Sequence, residues 1–193
     1  MRSRRATSGG GWPHGMVIRV DEAPAALLTL LFIRDAWGLA PDAALADLDP
    51  VPQSGVSALP ATASRDEWSA RWMTTWERTW VWYETPGAVG PTPTFPPMWE
   101  AQYGPDGIDR VALNAWNEAV RGPRPARLED EPERRCLDAL VPAWRAGIES
   151  ILVVPYRGYY AHRIGSHQLV VSKATREDPE LCARALTSAL RNG

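Results

Sequence analysis

Four tryptophans set four residues apart, Trp68, Trp72, Trp76 and Trp80, constrain this chain more than any other feature. At about 100° per residue, each four-residue step advances the side chain by only about 40°, so the rings form one broad stripe on a helix. Ser64 and Glu67 stand just before the stripe with the spacing of a capping box, in which each side chain satisfies a free backbone N–H of the first turn. Met73 and Tyr83 fall on the same side, while Glu67, Arg71, Thr74 and Arg78 fall opposite as a solvated face. The stripe predicts a packing face. A buried indole N–H needs an acceptor, so four tryptophans are demanding core residues. An aromatic surface or pocket wall is the functional reading of Trp68, Trp72, Trp76 and Trp80.

The rest of the chain is punctuated clearly. Val17-Ile18-Arg19-Val20 reads as a strand, and residues 25–37 as an apolar helix with Pro24 in its first turn and Gly38 ending it. Residues 41–48 read as a further short helix, and 50–63 as a loop. Residues 85–97 hold five prolines and two glycines, which excludes a helix or a central strand. A helix is expected over 106–120 with Val111, Ala115 and Trp116 inward. Another is expected over 130–146, kinked at Pro142. Residues 151–154 form an apolar strand. Residues 159–164 and 167–172 pair as a hairpin about a two-residue turn at Gly165-Ser166. Asp178 caps a last helix whose inward face is Leu181, Ala185, Leu186 and Ala189.

This order predicts an α+β fold. A small, mainly antiparallel sheet, made of the N-terminal strand and a C-terminal three-stranded meander, is packed by several helices. Residues 1–15 read as a disordered tail or start extension. Residues 16–193 read as a single domain with a Pro-rich loop at 85–98.

Charge adds little direction. The net charge is −2, and residues 151–193 carry six basic against three acidic groups. Twenty of the 21 basic residues are Arg, Lys173 being the exception, which reads as the mark of a GC-rich coding genome. Cys136 and Cys182 lie in apolar helical patterns, and without a secretory segment two reduced thiols in the cytoplasm are expected. The apolar run at 25–33 is far shorter than the ~20 residues a membrane span needs.

The C-terminal hairpin collects the chemistry. With a two-residue turn, His162 and His167 share a face as diagonal neighbours, and Arg163 lies on the other. The pair suits general acid–base work, and Arg157, Arg163 and Arg176 with Tyr159 and Tyr160 suit an anionic ligand. No metal or cofactor is expected. The sequence lacks a phosphate-binding glycine loop, a dinucleotide glycine pattern, a nucleophile elbow and zinc-spaced ligands. Three functions follow, in order. The first is a non-enzymatic binding or protein-interaction domain, with a protein partner or small anionic ligand and a tendency to homo-oligomerise. The second is a small enzyme acting on an anionic molecule through His162 and His167. The weakest is nucleic-acid binding.

Overall fold

The computed structural model describes residues 11–39, 46–85, 95–123 and 125–191. Most of the expected helix at 41–48 and most of the Pro-rich loop lie outside these residues, as do residues 1–10 of the expected N-terminal extension; residues 46–48 are described and are not helical, Leu48 forming a bridge to Tyr156 instead. Trp12 lies inside them. Its indole N–H donates to Met16 O at 2.7 Å, and Arg134 sits over its ring at 5.3 Å.

The fold is mixed helix and strand about one four-stranded sheet. Strand β1 (Arg19–Asp21) leads to helix α1 (Ala25–Ala36), in which every residue from 26 to 33 is buried. Helix α2 (Arg65–Glu84) opens at Ser64, whose hydroxyl accepts from Glu67 N–H. Helices α3 (Trp99–Tyr103) and α4 (Arg110–Arg121) follow. The expected single helix at 130–146 is instead a 3-10 turn (Leu128–Asp130) and two helices, α5 (Pro132–Arg135) and α6 (Leu137–Arg145), broken at Cys136 rather than kinked at Pro142. Cys136 has φ −115° and ψ 27°, outside helical geometry, whereas Pro142 is accommodated within α6. Then come β2 (Ser150–Val154), β3 (Ala161–Ile164), β4 (Gln168–Ser172), α7 (Lys173–Glu177) and α8 (Pro179–Arg191).

Sheet direction corrects the sequence reading. The order is β1-β2-β4-β3, with β1–β2 and β2–β4 parallel and only β3–β4 antiparallel. The C-terminal strands are therefore no meander: β4 inserts between β2 and β3. The cause is the segment at 155–160, which is a crossing loop and not a tight turn. Leu48 bridges Tyr156, and Thr175 Oγ1 accepts from Tyr160 N–H at 2.9 Å. Ser172 and Thr175, both fully buried, share a 2.8 Å hydroxyl contact, and Ser172 Oγ donates to Gly158 O at 2.6 Å. These bonds hold the chain out past β4 before it turns back as β3.

Central parallel strands are covered on both faces and read as unbroken apolar runs. Leu152, Val154, Val170 and Ile164 point into a first core with α1 to α4. Ile151, Val153, Leu169 and Val171 point into a second core with α6 and α8. The sheet is thus a middle layer between two sets of helices.

The Trp stripe builds the first core. Trp68, Trp72 and Trp76 are buried and Trp80 is half-buried. Trp72 and Trp76 stack at 5.1 Å, and backbone carbonyls meet the indole donors: Trp72 to Leu30 O at 2.7 Å, Trp68 to Pro60 O at 3.1 Å. In α4 the inward residues are Leu113, Trp116 and Val120, so the expected inward Val111 and Ala115 are corrected to exposed positions. Asp109 caps this helix. Its carboxylate accepts from Val111 and Ala112 N–H and, across the loop, from Val56 N–H.

Cys136 and Cys182 are joined as a disulfide with Cα atoms 6.3 Å apart, which corrects the expectation of two free thiols. Both face the seam between α6 and α8, where the break at Cys136 turns its side chain toward α8. No helix among the described residues is long and apolar enough to cross a membrane.

Candidate functional site

The hairpin does not gather its histidines. The turn holds three residues, Gly165 to His167, so Ile164 pairs with Gln168, Arg163 with Leu169 and His162 with Val170. This register is one residue away from the expected one. Such a slip moves side chains to the other face, and it removes His167 from the strand altogether. Gly165 has φ +56°, and a Cβ there would sit 3.1 Å from Glu84 O, so the close approach of α2 also selects glycine. His162 is exposed on edge strand β3, while the Nε2 atom of His167 is buried at the turn without a hydrogen bond.

The expected ligand residues also separate. Arg163 donates to Ala189 O at 2.8 Å and Ser166 O at 2.7 Å, tying the hairpin to the end of α8. Arg157 is exposed and 3.7 Å from Asp47. Tyr159 lies under Arg184 at 4.5 Å. Tyr160 packs edge-on to Tyr156 at 4.9 Å, and burial pushes both phenols above their ordinary pKa. None of Arg157, Tyr159, Tyr160, His162, Arg163 and His167 lines either of the two hollows described below. Trp68, Trp72 and Trp76 lie in the core rather than on a surface.

Arg176 is the exception. The three parallel strands end at Asp21, Val154 and Ser172, all on the same edge of the sheet. Beyond β1 the chain passes to α1 in the first core, and beyond β4 it passes through α7 to α8 in the second. In open α/β sheets ligands bind outside the carboxyl ends of the strands, and here the ends of β1 and β4 flank that of β2. Glu22, just past β1, and Arg176, four residues past β4, meet there. Arg176 Nη1 donates to Glu22 Oε1 at 2.6 Å.

Arg176 is also clamped from the α5 side. Nε donates to Glu133 Oε1 at 2.6 Å and Nη2 to Glu133 Oε2 at 3.0 Å, with Glu131 3.8 Å away. Burial alone would lower the guanidinium pKa. The hydrogen bonds and charges of Glu133 and then Glu22 more than offset it and hold Arg176 above its ordinary value.

A cleft of about 320 Å³ opens beside this cluster. Its charged lining is Glu22, Asp130, Glu177, Arg121, Arg135 and Arg176, and Pro123, Pro125 and Pro132 supply apolar walls. Arg135 Nη2 donates to Glu177 O at 2.8 Å, which fixes the α5 wall against the α7 wall. A second hollow of about 410 Å³ lies between α6 and α8. It is larger, but among the described residues Arg135 and Asp138 are its only charged lining, so the carboxyl-edge cleft is the better chemical site.

Sequence reasoning missed Glu22, Arg121, Asp130, Glu133, Arg135 and Glu177. The usable signal was position just after a strand, at Glu22 and Arg176, and it becomes visible only once the strands are known to be parallel. Among the described residues no group of three or more His, Cys, Asp or Glu is arranged to hold a metal ion.

Together these features define a layered helix–sheet–helix protein with a mixed-charge cleft at its carboxyl edge. Comparison with protein-family models, curated proteins and solved structures finds no match to this chain.

Proposed function

We propose that this chain is a binding protein whose ligand seat is the carboxyl-edge cleft. The observation that carries the reading is the cleft's position. It lies beyond the carboxyl ends of β1 and β4, which flank β2 in one parallel ladder, and ligands of open α/β sheets bind outside the carboxyl ends of the strands. Its volume falls at the lower end of the range for small-molecule sites, roughly 300–1,000 Å³. The dispersal of His162 and His167 removes the acid–base pair on which the enzymatic alternative rested, so binding is the function we retain. The test is amide chemical-shift mapping with a panel of amino acids, carboxylates, sugars and nucleosides. Perturbations grouped on Glu22, Arg135 and Glu177 are expected. A panel in which every binder maps elsewhere, or none binds, overturns the reading.

A second reading concerns a protein partner, and the outward face of α4 favours it. Val111 is 80% exposed and Val56, held beside the start of α4, is 88% exposed. Ala115 and Ala119 continue the strip. Arg110 and Glu118 bracket it, so an antiparallel second copy would set Arg110 of each chain against Glu118 of the other. Their present ion pairs, with Glu100 and Arg121, are surface pairs of small worth. A homodimer in solution that Val111→Glu dissociates is the expected result. A monomer at all concentrations rejects it.

A further inference from the structure

We infer that the cleft takes a small zwitterion, of which a free α-amino acid is the simplest case. The inference rests on the cleft being the ligand seat and adds the class of ligand. Among the described residues its charged lining has three groups of each sign. An anion drawn to the arginines would lie against carboxylates, and a cation drawn to the carboxylates would lie against arginines. A molecule bearing both charges a few bonds apart satisfies both sets.

The free bonding capacity points the same way. Arg176 has little to offer an incoming anion, because Nε and Nη2 hold Glu133 and Nη1 holds Glu22. The available donors are on Arg121 and Arg135. Among the described residues Arg135 spends only Nη2, on a backbone carbonyl, and Arg121 spends Nη1 on the exposed Glu118. On the acidic side, Asp130 makes no ion pair among the described residues, and Glu177 stands 4.0 Å from Lys173. Glu22 uses Oε1 on Arg176 and keeps Oε2. Two guanidinium arms therefore face a carboxylate, and Asp130, Glu177 and Glu22 face an ammonium.

The walls support this assignment. Pro123, Pro125 and Pro132 have no backbone N–H, so they cannot cradle an anion as a glycine-rich loop does. The charged donors that the described lining offers an anion are arginine side chains. The prolines instead leave an apolar surface for the aliphatic part of the ligand, and about 320 Å³ suits a molecule of amino-acid size better than a nucleotide.

The experiment compares probes that differ in one charge. The twenty standard amino acids are titrated singly, and the best binder is compared with its des-amino acid and its decarboxylated amine. Uncharged sugars and nucleosides complete the panel. The zwitterion is expected to bind at least roughly tenfold tighter than either analogue, the scale of one lost charge-assisted hydrogen bond. Arg135→Gln should weaken the zwitterion and the acid, and Asp130→Asn the zwitterion and the amine. If the des-amino acid binds as tightly as its parent and Asp130→Asn changes nothing, the zwitterion assignment is overturned while the cleft stands as an anion site. If only uncharged probes map to the cleft, the assignment likewise fails and the seat survives. If nothing maps there, seat and assignment fail together.

Discussion

Arg176 and Glu133 meet through two parallel hydrogen bonds, and each side chain is only 8% exposed. Removing one partner leaves the other charged and desolvated, which typically costs about 3–5 kcal/mol. Arg176→Met should lower unfolding free energy by about that amount in urea denaturation. The double variant Arg176→Met/Glu133→Leu should recover part of the loss, because an apolar pair of similar volume is often neutral while Glu22, at 26% exposure, still loses its partner. A single variant as stable as the parent would show that Glu133 has reached solvent.

Trp72 is fully buried, stacks on Trp76 and donates to Leu30 O. Trp72→Ala should destabilise by about 3–5 kcal/mol, the usual cost of emptying a large aromatic site. Val81, on the same helix and 60% exposed, is the control. Val81→Ala should stay within about 0.5 kcal/mol. Equal effects would contradict the orientation of α2.

Asp109 accepts backbone N–H bonds from Val56 and Ala112, then Val111, which hold its carboxyl below the ordinary range. A depressed folded pKa stabilises above the unfolded value, about 3.9, and that stabilisation is lost as pH falls through the folded value. Asp109→Asn should therefore lower Tm at neutral pH, and the gap from the parent should close under acid. A gap that stays constant down to pH 2 or so would remove the carboxylate from the cap.

The three-residue turn makes a sharp prediction at Gly165. Gly165→Ala forces a side chain to φ +56° and toward Glu84 O, so a loss of about 1–2 kcal/mol is expected from the backbone alone. Cross-strand NOEs should link Arg163 with Leu169 and Ala161 with Val171. NOEs pairing Arg163 with Gln168 would restore the two-residue turn.

Thiol counting tests the bridge between α6 and α8. Mass spectrometry after alkylation under denaturing conditions should find no free thiol without reductant and two with it. Two alkylated cysteines in the unreduced protein would refute the pairing.

Local signals in the sequence were read correctly where a local bond produces them. Ser64 caps α2 through Glu67 N–H, and Asp178 caps α8 through the N–H groups of Glu180 and Leu181. What failed was set by distant partners. Residues 151–154 read as a buried strand, but parallel pairing with β4 depends on the bonds from Ser172 and Thr175 to the 158–160 loop. The start of α4 is tied to Val56, 53 residues away, by the Asp109 carboxylate. The cleft depends most on distance, because Glu22 and Arg176 stand 154 residues apart. Arg176 was legible as a residue of interest, but its partners Glu133 and Glu22 were not.

The parallel partner of β1 also governs how this chain must be made. Strand β1 and the buried, largely apolar stretch of α1 leave the ribosome well before β2, which follows β1 by roughly 130 residues. At about 5–20 residues per second that is a wait of about 6 to 26 seconds. During it the most hydrophobic helix of the protein has no sheet to cover it. The nascent chain should therefore depend on a holding chaperone at this stage, and a burst of translation that shortens the wait should raise the folded yield.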